Sequence, residues 1–266
     1  MSKKKAVLAR VFEDCIKKGE PVFHNSYVKQ VSEELGFGNQ YDATKLDRLA
    51  KYPDIINQQG YFLIHLGKGY HQFVPNQSLG YHRFEPIHEE ESMPWEYVPG
   101  VLNDFDTSEA NILSIAYNQS VLHDFVYGDR RANPQVYLAR RTKFTGSYTI
   151  AEDTIDATQV QMEMDLVLEL NGNVTVFEAK NGFHDDFAVY QLFHPYLYFD
   201  DHRRSGKLNV GEIQCCYLQR KKTRRRKNQQ QSSVLRLHLY RFRDREMASI
   251  ELLRKREYEL KMKDPL

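Results

Sequence analysis

The sequence predicts an α/β (α+β) protein, a mixed central sheet flanked by helices, preceded by a smaller, mainly helical unit. Three observations carry this. Apolar residues recur at helical spacing through the first 50 residues and again over 107–127. Runs of β-branched and aromatic residues alternate with polar ones over 135–180 and 212–242. An Asn171-Gly172 pair sits between two such runs and is a strong short-range hairpin signal. The chain has 266 residues, long for one small domain, and 41% hydrophobic content leaves material for a sizeable core. The boundaries are set at 1–76 for the amino-terminal unit, 77–100 for a linker and 101–266 for the larger domain.

The elements follow in order. "KAVLARVFEDCIKK" places Val7, Leu8, Val11, Phe12, Cys15 and Ile16 on one helix face. "NSYVKQVSEELGF" offers Asn25 or Ser26 as N-cap, Tyr27, Val28, Val31 and Leu35 as inner face, and Gly36 as stop. "YDATKLDRLAKYPD" predicts a third helix capped by Asp42, with Leu46, Leu49 and Ala50 inward. "YFLIHLGKGYHQFV" then predicts two strands around Gly67-Lys68-Gly69. Three helices and a basic-tipped hairpin follow the order of a winged helix-turn-helix. Pro86, Pro94, Pro99 and an acidic run mark 77–100 as a linker or covering segment. A single amphipathic helix is expected over 107–127, capped by Thr107 or Ser108. Strands follow at "QVYLARRTKF", "TQVQMEMDLVLEL" and "NVTVFEAK", then a helix over "DDFAVYQLFHPYLYF". Strand patterns "EIQCCYLQRK" and "VLRLHLYRF" flank a basic loop, and the charged end of the chain reads as solvated.

The hairpin at 161–180 carries the chemistry. If Asn171 and Gly172 form a two-residue loop, Leu170 faces Asn173, Asp165 faces Glu178 and Glu163 faces Lys180. The two-residue side-chain period puts these four charges on one face. Opposed Cβ atoms lie about 4.5–5.5 Å apart, so Asp165 and Glu178 would repel each other. A raised pKa on one of them relieves that, and so does a divalent cation held between them. Lys180 could then meet a phosphate oxygen or an attacking water, which makes Asp-Glu-Lys a unit suited to metal-assisted phosphodiester hydrolysis. The plainer alternative is a solvated strand end with a Glu163–Lys180 ion pair.

"MDLVLELNGNVTVFEAK" resembles the core of the PD-(D/E)XK nucleases, the fold of many type II restriction endonucleases. The pattern is an Asp on one strand and (Asp/Glu)-x-Lys on the next, here Asp165, Glu178 and Lys180; Met164 stands where that family often has Pro. The resemblance covers roughly 107–200, about a third of the chain. It implies a restriction-endonuclease-like core and a sequence-specific double-stranded DNA endonuclease that leaves 5′-phosphates. Asp165 and Glu178 would hold Mg²⁺, with Mn²⁺ as a substitute, and Lys180 would orient or help deprotonate the water. Glu163 would assist as an extra carboxylate or as the partner of Lys180. The family's helix after the Lys often carries a Gln facing the site, matched here by Gln191. Its first helix sometimes adds an acidic ligand, for which Glu109 or Asp124 are loose matches. The alternatives are a structure-specific repair or recombination nuclease, and an inactive DNA-binding regulator on the same fold.

Double-stranded DNA is the expected partner. The net charge is only about +1, but "QRKKTRRRKNQQQ" concentrates Arg220, Lys221, Lys222, Arg224, Arg225 and Arg226, a density suited to tracking phosphates. In the amino-terminal unit the third helix would present Thr44, Lys45 and Arg48, and the hairpin tip Lys68. Many enzymes that cut both strands of a palindrome are dimers, so a homodimer is also expected. Three cysteines, an odd and low count, favour a reducing cytoplasm. No long apolar run opens the chain, and none approaches the ~18 residues of a membrane span.

Overall fold

The computed structural model describes residues 2–98, 100–101, 108–222 and 233–262. The amino-terminal unit runs α1 (Lys3–Lys18), β1 (Val22–His24), α2 (Asn25–Glu34), α3 (Gln40–Ala43), α4 (Asp54–Gln59), β2 (Tyr61–Gly67) and β3 (Tyr70–Pro75). Ser2 caps α1 by accepting the Lys5 N–H, and Gly19 ends it with a φ of 70°. That positive φ is the left-handed C-cap that Gly adopts without steric cost. Val7, Leu8, Val11, Phe12 and Cys15 are buried as the spacing predicts, whereas Ile16 is exposed. The α2 cap differs from expectation. His24, one residue earlier, accepts the Ser26 N–H through Nδ1 at 3.1 Å.

The third helix predicted from Asp42 onward does not form as one piece. A single turn, α3, is capped by Asn39, and a 3-10 turn covers Leu49–Lys51. Between them Arg48 is extended, with φ −148° and ψ 150°. The cause lies about 140 residues downstream. The Asp47 carbonyl accepts the Ala188 N–H at 2.9 Å, and the Leu49 N–H donates to Asp186 Oδ1 at 2.8 Å. These tertiary bonds take the place of the helical ones, as tertiary context overrides modest propensity. Ala50 is consequently exposed rather than inward.

The rest of the chain adds β4 (Tyr81–Arg83), β5 (Ser92–Tyr97), α5 (Glu109–Asn118), α6 (Val121–Tyr127), β6 (Gln135–Ile150), β7 (Asp153–Leu170), β8 (Asn173–Asn181), β9 (Asp186–Ala188), α7 (Tyr190–Arg204), β10 (Ile213–Lys222), β11 (Ser233–Phe242) and β12 (Ile250–Met262). Seven strands form a mixed sheet in the order β5-β12-β11-β10-β8-β7-β6, and β1-β3-β2 form a smaller one. The segment 77–100 is therefore not a free linker. β4 pairs with β9, and β5 is an edge strand of the main sheet, parallel to β12. The carboxy-terminal segment is no solvated tail either. β12 lies between β11 and β5 and buries Tyr258 and Leu260, while the half-buried Glu259 and exposed Lys261 of the second Glu-x-Lys triplet pair with each other.

The helix expected over 107–127 is broken at Gln119-Ser120. Ser108 caps its first half, Thr107 lies outside the described residues, and Ser120 opens the second half at φ 57°. Two polar residues interrupt the apolar stripe here, and the Trp95 indole N–H donates to the Gln119 carbonyl at 3.0 Å. Together α5 and α6 cover one face of the sheet, over Leu166, Leu168, Phe177, Cys216, Leu218 and Leu237. The other face packs against α7 and the amino-terminal unit in one cluster that runs from Val7 and Phe12 to Val176, Leu192 and Tyr217. Two covered faces explain why β8 is almost wholly buried, as strands buried on both sides are.

Buried histidines make this core sensitive to acid. His71 and His194 are both buried. Desolvation lowers each imidazole from an ordinary 6.5 to about 3, with the neighbouring His65 adding to the fall. The sign follows directly. The unfolded chain takes up protons near pH 6.5 that the folded chain refuses, so stability is lost as pH falls below that value. Two such groups give a slope of up to roughly 3 kcal/mol per pH unit. Among the described residues Nε2 of His194 is buried without a hydrogen-bond partner, and its ring stacks on Phe144. His194→Phe should therefore remove up to about 1.4 kcal/mol per pH unit of the acid slope, measured by denaturant unfolding between pH ~4 and ~7.

Candidate active site

The Asn-Gly turn sets the expected register. Asn171 and Gly172 have φ of 54° and 82°, and Leu170 pairs with Asn173, Leu168 with Thr175 and Leu166 with Phe177. The ladder ends at Leu166–Phe177, just where the charges begin. Asp165 there accepts the Ala179 N–H through Oδ2 at 2.9 Å, so its side chain takes a bond a paired backbone would have made. On the far side β10 runs parallel to β8 and sets Gln219 beside Lys180 and Arg220 beside Asn181.

Glu178, Lys180 and Gln191 come together with a fourth group from α5. Lys180 Nζ lies 2.8 Å from Glu178 Oε1 and 2.9 Å from Glu109 Oε1. Gln191 Nε2, near the start of α7, donates to Glu178 Oε1 at 2.7 Å. Glu163 is not part of this group. It is exposed and pairs with Arg141 of β6 at 2.6 Å, because β6 offers an arginine directly across the ladder. The carboxylate that meets Lys180 is thus Glu109, and the expected Glu163–Lys180 pair is replaced. Asp124 is committed elsewhere, accepting from the Tyr258 hydroxyl at 2.8 Å and from Arg256 at 3.2 Å.

The electrostatics are those of a crowded carboxylate site. Burial raises the Glu178 carboxyl to about 8, with Asp165 and Glu109 adding to the rise and Lys180 opposing it. Burial also raises Asp165, partly offset by the Ala179 N–H and by Lys180. Burial alone would lower Lys180, but Glu178 and Glu109 outweigh it and leave the ammonium more firmly protonated than usual. Lys180 is therefore a hydrogen-bond donor and a fixed positive charge, and a poor proton acceptor.

Asp165 and Glu178 offer carboxylate oxygens, the ligand type a divalent cation takes. Lys180 bonds two carboxylates, Glu178 and Glu109, with Asp165 in the same field, and among the described residues the buried Gln191 Oε1 has no hydrogen-bond partner. Mg²⁺ commonly takes one or two protein carboxylates and fills its remaining positions with water and phosphate oxygens. Among the described residues no group of three His, Cys, Asp or Glu side chains is gathered as a ready ligand set, so the protein's share would be Asp165 and Glu178.

The residues expected to face DNA divide. Lys45 and Lys221 are exposed, and Lys68 is exposed at the β2–β3 tip with φ 49°. That tip does not hang free, since a Cβ on the adjacent Gly67 would collide with the Thr158 carbonyl oxygen of β7. Thr44 is buried at 4% exposure, which removes it from any DNA-facing set. Arg220 is buried as well, its Nε and Nη2 donating to Ser233 Oγ at 3.3 and 3.2 Å across the β10–β11 pair. Lys222 is half-buried at the end of β10. Arg224, Arg225 and Arg226 lie outside the described residues. Arg48 is half-buried and bonds His184, four residues after Lys180.

Residues 76–259, more than two thirds of the chain, match the family DUF6997, described as a domain of unknown function. The chain belongs to the DUF6997 family. It matches no curated protein and no solved structure. The DUF6997 match holds the whole Asp165, Glu178, Lys180, Glu109 and Gln191 group, and leaves α1 to β3 of the amino-terminal unit outside it. No helix among the described residues is long and apolar enough to cross a membrane.

Proposed function

We propose that this DUF6997 protein is a Mg²⁺-dependent endonuclease of the PD-(D/E)XK kind that cuts double-stranded DNA at a specific sequence. The observation that carries the reading is the convergence at one strand end: Lys180 between Glu178 and Glu109, Gln191 on Glu178, and Asp165 on the adjoining backbone. The crossover from β8 through α7 to the parallel β10 supports a restriction-endonuclease-like core, because it brings Gln191 over the ends of β7 and β8. The order of α1 to β3, with the sheet order β1-β3-β2, supports a winged-helix reading of the amino-terminal unit despite its interrupted third helix.

Asp165 and Glu178 would hold the cation, which supplies Lewis-acid stabilisation of charge on the phosphate and a more acidic water. The chain's own residues do the rest. Lys180 donates to the attacking water or to a phosphate oxygen and stays charged while negative charge grows there. Gln191 fixes the Glu178 carboxylate, and Glu109 fixes Lys180 from the other side. Hydrolysis joins the water oxygen to phosphorus and breaks the P–O3′ bond. The water's proton leaves to an acceptor, and the 3′ oxygen takes one up, giving a 5′-phosphate and a 3′-hydroxyl.

Plasmid DNA incubated with the protein and Mg²⁺ tests this. Discrete bands are expected; a smear points to a less selective nuclease, and a gel shift without cutting overturns the nuclease reading. The DNA contacts have their own readout. Replacing both Lys45 and Lys68 with Ala should lower the slope of log affinity against log salt by about 2. An unchanged slope would remove those two residues from the interface.

A further inference from the structure

A short segment of the amino-terminal unit bonds the loop that follows Lys180. Asp47, Arg48 and Leu49 lie outside the DUF6997 match yet bond the stretch that follows Lys180. After Asn181 the chain leaves β8 through Gly182, whose φ is +90°. The sheet side holds this loop by the Gly182 N–H on the Arg220 carbonyl at 2.7 Å and by Gln219 Nε2 on the His184 carbonyl at 3.2 Å. The amino-terminal side holds it by the Leu49 N–H on Asp186 and by Arg48 Nη1 on His184 Nδ1 at 2.8 Å.

An arginine only donates, so His184 Nδ1 is the acceptor and its proton sits on Nε2. The backbone of the same residue is held from the sheet, its carbonyl accepting from Gln219 Nε2. Arg48 thus holds, through the imidazole, the loop that leaves β8 and that Gln219 and Arg220 of β10 hold from the other side. Asp47 lies in the same field: burial opposes it, yet Lys51, Arg48 and Lys180 hold its carboxyl below the usual range.

We propose that Arg48 is a positioning residue for Lys180: through His184 it fixes the 181–185 loop, so that the amino-terminal unit completes the cleavage site. This rests on the nuclease reading above and adds to it that the unit reading the DNA also sets the geometry of the lysine that acts on the phosphate. A displacement of about 1 Å at a reacting group can cost a hundredfold in rate.

The test uses the full chain on a duplex containing its cleavage site. Arg48→Ala should lower kcat by about 10- to 100-fold and leave KM within about threefold. His184→Ala should do the same, and the double variant should fall no further, because both act through one path. Arg48→Lys, which can still donate to His184, should recover part of the loss. A raised KM with unchanged kcat would make Arg48 a plain DNA contact and overturn the proposal, as would effects of the two variants that multiply. Amide hydrogen exchange separates this from failure of the nuclease reading. Exchange at Asn181 to Asp185 should quicken by about tenfold or more in Arg48→Ala whether or not the protein cuts, and unchanged protection there would overturn the proposal by itself.

Discussion

Asp165→Asn and Lys180→Ala will each lower Mg²⁺-dependent cleavage of duplex DNA by about a thousandfold or more, with duplex binding kept within a fewfold of wild type. The two act differently. Asp165→Asn removes one of the two carboxylates proposed to hold the cation while keeping an oxygen that can accept the Ala179 N–H, now at 2.9 Å. The strand end should hold its shape and lose its charge. Lys180→Ala removes the ammonium bonded to both Glu178 and Glu109, so it leaves surplus negative charge where a phosphate must arrive. Binding should survive because phosphate contacts spread over many residues supply most of the affinity for DNA. Cleavage at the wild-type rate by either variant would refute the assignment. A loss of rate that added Mn²⁺ restores in Asp165→Asn but not in Lys180→Ala would support the division of roles.

The site is legible in the sequence where local rules govern it. Asn171-Gly172 demands positive φ at both positions, and that demand fixes a register that holds from Leu170 to Leu166. Counting onward places Asp165, Glu178 and Lys180 at one strand end. What such a count lacks is the third dimension. It pairs Lys180 with Glu163, but β6 puts Arg141 across from Glu163, and α5 folds over the sheet to bring in Glu109. Glu109 stands in the sequence only as a loose match on the preceding helix.

The other differences share that origin. Residues 42–52 look helical by spacing, yet the backbone at Asp47 and Leu49 bonds a segment about 140 residues away. Arg220 belongs to a basic run, but it turns inward against Ser233 at the end of β10. β5 and β12 form a parallel pair joining residues about 165 apart, and their charged sequences carry little periodic signal. Propensity and period report on neighbours in the chain, whereas burial and pairing partners are set by the whole fold.

Glu178→Gln should make the protein more stable at alkaline pH while abolishing the proposed cleavage activity. Burial raises the Glu178 carboxyl from an ordinary 4.5 to about 8, with Asp165 and Glu109 adding to the rise. Between those values the folded chain keeps a proton that the unfolded chain gives up, so stability contributed by this group is full below pH 4.5 and lost as pH rises to about 8. Glutamine carries no charge and escapes that loss. The gain at pH ~8.5 should be about 2 kcal/mol, less than the shift alone would give, because Lys180 keeps Glu109 but loses its second carboxylate. At pH ~5 the gain should disappear. A cation should do for the wild type what the substitution does for the variant, since binding releases the Glu178 proton and removes the repulsion. Mg²⁺ at about 10 mM should therefore raise the wild-type Tm, more at pH ~8.5 than at pH ~6, and leave Glu178→Gln unmoved. An equal Mg²⁺ effect on both proteins would show that the cation binds elsewhere. A variant less stable than wild type at the alkaline pH would show that the Glu178–Lys180 pair outweighs the cost of burying the charge.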